Sequence, residues 1–230
     1  MSTIAQHLQD VNARMQAAAE QAGRPAHHIN LLAVSKTKPA EDVKTAYAAG
    51  QRSFGENYVQ EAVDKITSLK QSCPDAVWHL IGPLQSNKTR LVAEHFDWVQ
   101  TVDRLKIAQR LNDQRSAHMS PLNICLQVNV SGEASKSGLT PAEAEILADE
   151  VAQLPNLCLR GLMAIPEATD NSETLRAQLL ELKHLFDRMQ KKHSGMDTLS
   201  MGMSNDLELA VACGSTLVRV GTAIFGSRNP

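Results

Sequence analysis

The chain has 230 residues, of which 43% are hydrophobic and 21% charged, and its formal net charge is −2. This composition, without an apolar run long enough to span a bilayer and without a signal-peptide pattern, predicts a cytoplasmic globular protein built as one domain over residues 1–230. The small negative charge and the 3% aromatic content argue against nucleic-acid or membrane partners, and four cysteines without a C-x-x-C pair argue against a metal site or a disulfide framework.

The predicted elements alternate between helices and strands along the chain. An amphipathic helix comes first and is closed by Gly23 and Pro25, while Thr140 and Pro141 form a typical helix start. Strands are predicted at residues 29–35, 53–55, 77–81, 98–102, 124–130, 157–165, 198–201 and 217–225. Helices are predicted at residues 2–21, 39–49, 57–69, 86–95, 103–114, 140–154, 175–194 and 204–212.

Strict alternation of strands and helices predicts a parallel sheet, and eight strands favour a closed barrel. The open, doubly wound alternative is expected to carry a G-x-G-x-x-G motif after its first strand. Residues 35–39 read S-K-T-K-P and do not fit that motif. The predicted fold class is therefore α/β, a (β/α)8 TIM barrel with an extra N-terminal helix.

Lys36 comes directly after the first predicted strand, whose residues 31–34 are all apolar. Lysine is rare in strands, and a buried ammonium group is costly unless it is paired or neutralised. Two interpretations are open for this residue. Either its side chain extends past the strand into water, or it is a desolvated amine that attacks a carbonyl and forms a Schiff base.

Glycine and hydroxyl residues occur together near the ends of the last two predicted strands. Gly202 and Ser204 follow the seventh strand, and Gly221 and Thr222 lie in the eighth. Loops after these two strands often bind phosphate through backbone N–H groups in barrels of this kind. An ordinary role is open for each residue alone, because Ser204 could be a helix N-cap and Gly221 could simply end a strand.

Arg219 is a charged residue within an otherwise apolar strand. One interpretation is a structural ion pair with Glu167 or Asp206. The other is that Arg219 faces a ligand, because the two-residue period of a strand places it on the same face as Gly221. A guanidinium only donates hydrogen bonds, so it would keep a pyridine nitrogen opposite it unprotonated. A Schiff-base lysine, a phosphate site and this cation together describe pyridoxal 5′-phosphate (PLP).

Six sequence signatures closely resemble those of the PLP homeostasis protein family. They are L-A-V-S-K at 32–36, F-G-E-N-Y-V-Q-E at 54–61, H-L-I-G-P-L-Q-S-N-K at 79–88, G-L-M at 161–163, S-M-G-M-S at 200–204 and V-G-T-A-I-F-G at 220–226. The resemblance extends over essentially the whole chain and is strongest to gamma-proteobacterial members. It implies a barrel similar to the N-terminal domain of alanine racemase. It also implies a PLP-binding protein that maintains vitamin B6 and amino-acid balance, with no established catalytic turnover.

By the same resemblance, seven residues are expected to contact PLP: the Schiff-base lysine, three phosphate ligands, the partner of the ring nitrogen and two residues beside the ring. They are, in that order, Lys36; Ser204, Gly221 and Thr222; Arg219; and Asn57 and Met201.

The residues also bear on whether the protein is an enzyme. A racemase needs a second base on the face of PLP opposite the lysine, and alanine racemase-like enzymes take a tyrosine from an additional domain. The predicted barrel extends to Phe225, so no such domain is expected. Tyr47 is predicted within a helix, whereas Tyr58 follows Asn57 and stays open as a base. His79 is open as a site residue or as a hydrogen-bonded core residue.

We favour a binding protein over an enzyme, with a small PLP-dependent racemase as the main alternative. A class I aldolase would also use a lysine and a phosphate site, but its lysine normally belongs to a middle strand. PLP-dependent apoenzymes are the expected recipients of the cofactor, and the lack of a second domain favours a monomer. Lys136 lies in a polar loop near the predicted mouth. We hypothesise that it helps cofactor exchange, although a solvated loop lysine is an equally good interpretation.

Overall fold

The computed structural model describes residues 3–132, 137–167 and 169–227. Lys136 lies outside these ranges, so its role in cofactor exchange stays a hypothesis. The strands are β1 (Asn30–Val34), β2 (Ser53–Glu56), β3 (Val77–Leu80), β4 (Trp98–Val102), β5 (Leu122–Gln127), β6 (Leu157–Met163), β7 (Thr198–Ser200) and β8 (Leu217–Val220). The α-helices are α1 (Ile4–Gln21), α2 (Ala40–Ala48), α3 (Val59–Leu69), α4 (Thr89–His95), α5 (Leu105–Gln114), α6 (Pro141–Val151), α7 (Ser172–Lys192), α8 (Leu207–Ala212) and α9 (Thr222–Phe225).

The eight strands form a closed parallel barrel in which each strand pairs with the next one in sequence. Closure is made by β8 and β1, with Leu32 opposite Arg219 and Ala33 opposite Val220. The predicted TIM-barrel fold is confirmed. Parallel neighbours need a crossover connection between them, which is why the alternation of strands and helices was informative.

The end of the eighth strand was predicted wrongly. β8 ends at Val220 rather than at Phe225, and residues 222–225 form the short helix α9. Gly221 leaves the extended conformation, with φ −116° and ψ −73°, and its carbonyl oxygen accepts the N–H groups of Ile224 and Phe225 at 2.9 Å. The apolar run that suggested a longer strand is therefore an apolar helical turn, and the described ranges contain nine α-helices instead of the eight expected.

Two other strands end more than one residue earlier than predicted, at Gln127 in β5 and Met163 in β6. The apolar residues that follow them, including Val128, Val130 and Ala164, are still buried. Their hydrophobicity reflects burial in the segments that follow the strands rather than strand structure. Apolar runs alone do not separate these two situations.

The leading helix α1 packs against α2, α8 and α9 on the outside of the barrel. Its apolar face contributes Leu8, Val11 and Met15 to the core. His7 Nδ1 lies 2.9 Å from the Ile224 carbonyl oxygen, which ties α1 to the turn that follows β8. Among the described residues, no helix is both long enough and apolar enough to cross a membrane.

Candidate functional site

The predicted site residues lie at the carboxyl ends of four consecutive strands of the barrel. Lys36 follows β1, Asn57 follows β2, Met201 and Ser204 follow β7, and Arg219, Gly221 and Thr222 lie in or just after β8. Barrel closure makes β7, β8, β1 and β2 neighbours, although they come from opposite ends of the chain. The structure therefore brings all seven residues to one side of the barrel mouth.

Lys36 is half-buried in the turn that follows β1. The next residue, Thr37, has a φ of +61°, and it is the one non-glycine residue with a positive φ in the described ranges. A β-branched residue in this region is strained by about 1–3 kcal/mol, and such strain persists only where surrounding contacts hold the backbone. The turn that carries Lys36 therefore depends on its neighbours for its shape.

Lys65, on α3, supplies contacts that hold this turn. Its Nζ donates to the Ser35 carbonyl oxygen at 2.9 Å, to Glu56 Oε1 at 2.7 Å and to Glu61 Oε1 at 3.1 Å. The Ser35 hydroxyl also donates to Glu56 Oε1 at 2.6 Å, and the Thr37 N–H donates to Glu61 Oε1 at 2.7 Å. The residues on both sides of Lys36 are thus held by one group of charged side chains, which we call the Lys65 cluster (Glu56, Glu61 and Lys65).

The Lys65 cluster is an ion-pair network between strand β2, which carries Glu56, and helix α3, which carries Glu61 and Lys65. Lys65 is 6% exposed, and Glu56 is fully buried. Burial raises the pKa of Glu56, while attraction to Lys65 and hydrogen bonds from Lys65 and Ser35 act in the opposite direction. This cluster was not predicted from the sequence. Its signal was a lysine on the apolar face of α3, beside the buried Ala62 and Leu69.

Arg219 lies inside the barrel, where it is 5% exposed. Its Nη1 donates to Ser200 Oγ at 2.7 Å, and its Nη2 donates to the Ala164 carbonyl oxygen at 2.8 Å. These bonds, rather than a direct salt bridge with Glu167 or Asp206, hold the guanidinium. Burial lowers the pKa of Arg219 to about 10 against the opposing effect of the Asp206 charge, so the guanidinium keeps its charge at neutral pH.

A chain of hydrogen bonds continues from Arg219 across the barrel. Ser200 Oγ donates to Gln100 Oε1 at 2.6 Å, and Gln100 Nε2 lies 3.0 Å from His79 Nδ1. His79 is fully buried, and burial lowers its pKa to about 3, which keeps the imidazole neutral. His79 is therefore a hydrogen-bonded core residue, the second of the two interpretations given for it.

The glycines that follow β7 and β8, Gly202 and Gly221, are tightly packed and have little space for a side chain. A Cβ atom on Gly221 would lie 3.2 Å from the Val34 carbonyl oxygen, and Gly202 has a φ of +96° with Ala210 Cβ only 2.4 Å from the place of its own Cβ. Gly221 is the N-cap of α9 and its carbonyl oxygen accepts the N–H groups of Ile224 and Phe225, so only the N–H groups of Thr222 and Ala223 are left without a partner inside the helix. These N–H groups suit an anionic ligand.

Ser204 does not cap a helix. It lies in a turn before α8, whose N-cap is Asp206, so the interpretation as a plain N-cap was wrong. The Ser204 carbonyl oxygen accepts a hydrogen bond from Arg14 Nη2 at 3.1 Å, and the Met203 N–H donates to Asp206 Oδ1 at 2.6 Å. The turn that presents Ser204 is thus fixed from both sides.

Asn57 and Met201 flank this region. Met201 is fully buried, and its N–H donates to the Leu217 carbonyl oxygen at 3.2 Å. Asn57 Oδ1 is buried and has no hydrogen-bond partner among the described residues. Asn57 lines a cavity of about 290 Å³ at the mouth, together with Thr101 and Gln127 among others. A buried acceptor without a partner is costly, so this atom is suited to a ligand that donates a hydrogen bond.

The barrel and its mouth place the chain in a known class of proteins. The sequence model of the alanine racemase N-terminal domain matches residues 6–229. A solved alanine racemase from Clostridium difficile superposes with a TM-score of 0.74, and the aligned region covers 95% of this chain and 57% of that one. At 14% identity this likeness concerns the fold alone.

Relatives of higher identity define the family within this class. A pyridoxal phosphate homeostasis protein from Pseudomonas aeruginosa is 57% identical over 229 residues, which cover 100% of this chain and 97% of the relative. PipY of Synechococcus elongatus, solved with PLP bound, is 38% identical, with a TM-score of 0.83 and coverage of 97% of this chain and 100% of that one. The chain belongs to the pyridoxal phosphate homeostasis protein family.

Proposed function

We propose that this protein binds PLP through a Schiff base with Lys36 and keeps the cofactor available to other proteins. The observation that carries the proposal is the parallel pairing of β1 with β8, which brings the candidate residues of the two strands together. Lys36 follows β1, Arg219 lies in β8 and Gly221 follows β8. The register of the two strands pairs Leu32 with Arg219. The PLP-bound structure of PipY supports the same ligand.

The residues at the mouth fit this cofactor. When bound, PLP supplies an aldehyde that condenses with an amine, and it also carries a phosphate and a pyridine nitrogen. The Lys36 amine would take the aldehyde, and the turns at Ser204, Gly221 and Thr222 would hold the phosphate. The guanidinium of Arg219 has five N–H donors, of which two positions already bond to protein, so donors remain for the ring nitrogen.

Asn57 and Met201 complete the proposed site beside the ring. The buried Asn57 Oδ1 lacks a partner among the described residues and offers an acceptor, and the fully buried Met201 is apolar. The close approach of Gly221 to Val34 also supports the proposal, since a side chain at 221 would fill space beside β1. We propose one PLP-binding domain over the whole chain, acting as a cytoplasmic monomer that passes PLP to PLP-dependent apoenzymes.

We further propose that the protein has no catalytic turnover. Tyr58, the candidate second base, is 56% exposed, and the Tyr47 hydroxyl donates to Asp75 on the outside of the barrel. His79 is held neutral in the interior, and burial raises the pKa of the Cys125 thiol, so neither is a ready base or nucleophile. The relatives named as homeostasis proteins agree with this proposal.

Borohydride trapping tests the proposed attachment. Purified protein supplied with PLP is expected to turn yellow, and reduction should leave a pyridoxyl group on Lys36, located by peptide mass spectrometry. Lys38→Ala is the matched control, because Lys38 belongs to the same turn and its Nζ donates to the Ser227 carbonyl oxygen at 2.8 Å. The control should keep the label on Lys36. A protein that stays colourless would refute the attachment, and so would a pyridoxyl group on another lysine of the wild-type protein. Labelling that occurs only after addition of a sugar would indicate an aldolase.

Solvent deuterium exchange tests the absence of turnover. The PLP-loaded protein is expected to exchange the α-hydrogen of amino acids no faster than free PLP does, and Tyr58→Phe should change nothing. Exchange well above that of free PLP, abolished by Tyr58→Phe, would instead identify a racemase.

A further inference from the structure

We propose that Ser200, Gln100 and His79 are positioning residues that fix the guanidinium of Arg219 for a pyridine nitrogen at the barrel mouth. The inference rests on the proposed PLP site. It assigns a role to three buried polar side chains that are not among the seven residues of the proposed site.

The three residues and Arg219 form a continuous polar chain across the barrel interior. His79 lies in β3, Gln100 in β4, Ser200 in β7 and Arg219 in β8, so the chain joins opposite walls of the barrel. Gln100 and Ser200 are fully buried, and His79 is 2% exposed. Burying polar groups among apolar neighbours is costly unless each is hydrogen-bonded, and here each bonds to the next.

The hydrogen bonds of this chain run in one direction. Arg219 can only donate, so Ser200 Oγ accepts from it and directs its own hydrogen to Gln100 Oε1. The Gln100 amide then presents Nε2 to His79 Nδ1, which must be the acceptor. This arrangement requires neutral His79 with its hydrogen on Nε2. Reversing the chain is not possible, because the guanidinium at its start has no acceptor.

The far end of the chain is anchored by an aromatic stack. The His79 and Trp98 rings are 5.0 Å apart and inclined by 12°. The guanidinium carbon of Arg160 lies 4.7 Å from the centre of the Trp98 ring. His79 therefore has a fixed orientation. The hydrogen bonds between His79 and Gln100 and between Gln100 and Ser200 fix the orientations of those two side chains in turn.

The chain limits how Arg219 can be oriented. Ser200 holds Nη1 and the Ala164 carbonyl holds Nη2, so both ends of the planar group are fixed. A group fixed before the ligand arrives loses little conformational freedom on binding. Loss of a link in the chain should therefore weaken PLP binding and change the environment of its ring without removing any contact residue.

Three variants test the inference by their order of effect. The apparent dissociation constant for PLP, obtained by titrating apoprotein, is expected to rise about tenfold in Ser200→Ala and about threefold in Gln100→Leu. His79→Phe, which keeps the aromatic stack and loses the Nδ1 acceptor, should have the smallest effect. The visible absorption band of bound PLP should be displaced in the same order.

Thr89→Val is the matched control. Thr89 is fully buried in α4, where its hydroxyl donates to the Ser86 carbonyl oxygen at 2.9 Å and accepts from Arg110, away from the chain. This variant should lose thermal stability and keep both the PLP spectrum and the dissociation constant.

The inference is overturned if Ser200→Ala and Gln100→Leu bind PLP with wild-type affinity and spectrum while only their melting temperatures fall. It is also overturned if Thr89→Val shows the same spectral change. Ser200→Ala, the smallest change, decides the matter if Gln100→Leu does not fold. A wild-type protein that binds no PLP would instead overturn the proposed function itself.

Discussion

Lys65→Met is expected to destabilise the protein by about 3–5 kcal/mol, which is the cost of leaving a buried carboxylate without its cation. Lys65 bonds to Glu56, Glu61 and the Ser35 carbonyl oxygen, and Glu56 has no exposed surface. Methionine keeps much of the volume of lysine and removes the charge. Urea unfolding of the apoprotein measures the change in the free energy of unfolding.

The pH dependence of this penalty follows from the direction of the Glu56 shift. Burial raises the pKa of Glu56 even with Lys65 present, and removal of the cation raises it further. A carboxyl group whose pKa is higher in the folded than in the unfolded state contributes its full stabilisation at pH values below the unfolded-state pKa. That contribution to the free energy of unfolding is lost as the pH rises through the folded-state pKa. The penalty for Lys65→Met should therefore be smaller at about pH 5 than at about pH 8.

A second substitution provides the control for the ion pair. Glu56→Gln in the Lys65→Met background removes the unpaired charge and keeps an acceptor for the Ser35 hydroxyl, whose bond to Glu56 Oε1 is 2.6 Å long. The double variant is expected to be more stable than Lys65→Met alone. The two substitutions are then non-additive, whereas substitutions at distant sites usually add. Strictly additive effects would mean that the charge of Glu56 does not cause the instability.

Gly161→Ala is expected to destabilise the barrel by about 3 kcal/mol, because a side chain has no room there. A Cβ atom at 161 would lie 1.6 Å from the Thr198 carbonyl oxygen, which is a backbone atom of the paired strand β7. Gly161 also adjoins an irregularity in the pairing of β5 with β6, where Ile124 faces Leu159 and Cys125 faces Gly161. The strands can accommodate the methyl group only by moving apart.

Gly195→Ala is the matched control for this variant. A Cβ atom at 195 would meet nothing closer than the Leu159 carbonyl oxygen at 3.9 Å, an ordinary van der Waals contact. Thermal unfolding should show a large decrease in melting temperature for Gly161→Ala and little change for Gly195→Ala. Equal melting temperatures would show that β6 and β7 tolerate the extra volume.

The Gly161→Ala variant should also affect the proposed cofactor site. β6 ends at Met163, and the next residue, Ala164, holds Arg219 through its carbonyl oxygen at 2.8 Å. A displaced β6 would move this acceptor. We therefore expect weaker PLP binding in any Gly161→Ala protein that remains folded, measured by the same titration as for the Ser200 variant.

The two networks around the mouth act on different parts of the proposed site. The Lys65 cluster holds the turn on either side of Lys36 from behind the barrel wall. The chain from Arg219 to His79 crosses the interior and holds the guanidinium at the opposite end of the proposed site. Networks that are formed before the ligand arrives reduce the conformational freedom lost on binding, which suits the proposed role in PLP binding.

The sequence by itself determined the alternation of strands and helices as far as β8 and the class of fold. Helical and strand periodicities are local properties of the chain, and their strict alternation leaves few alternatives to a parallel barrel. The sequence also predicted that Lys36, Asn57, Arg219 and Gly221 would gather at the carboxyl ends of strands, because a barrel puts those ends on one face.

Tertiary structure alone decided how those residues are held. Lys65 meets the Ser35 carbonyl oxygen and Ser200 meets Gln100 only because strands and helices distant in sequence become neighbours when the barrel closes. No local pattern encodes such pairings, since they depend on strand register and on which face of each element is buried. The same holds for Gly221, where contact with β1 and the turn into α9, rather than the propensity of an apolar run, end the last strand.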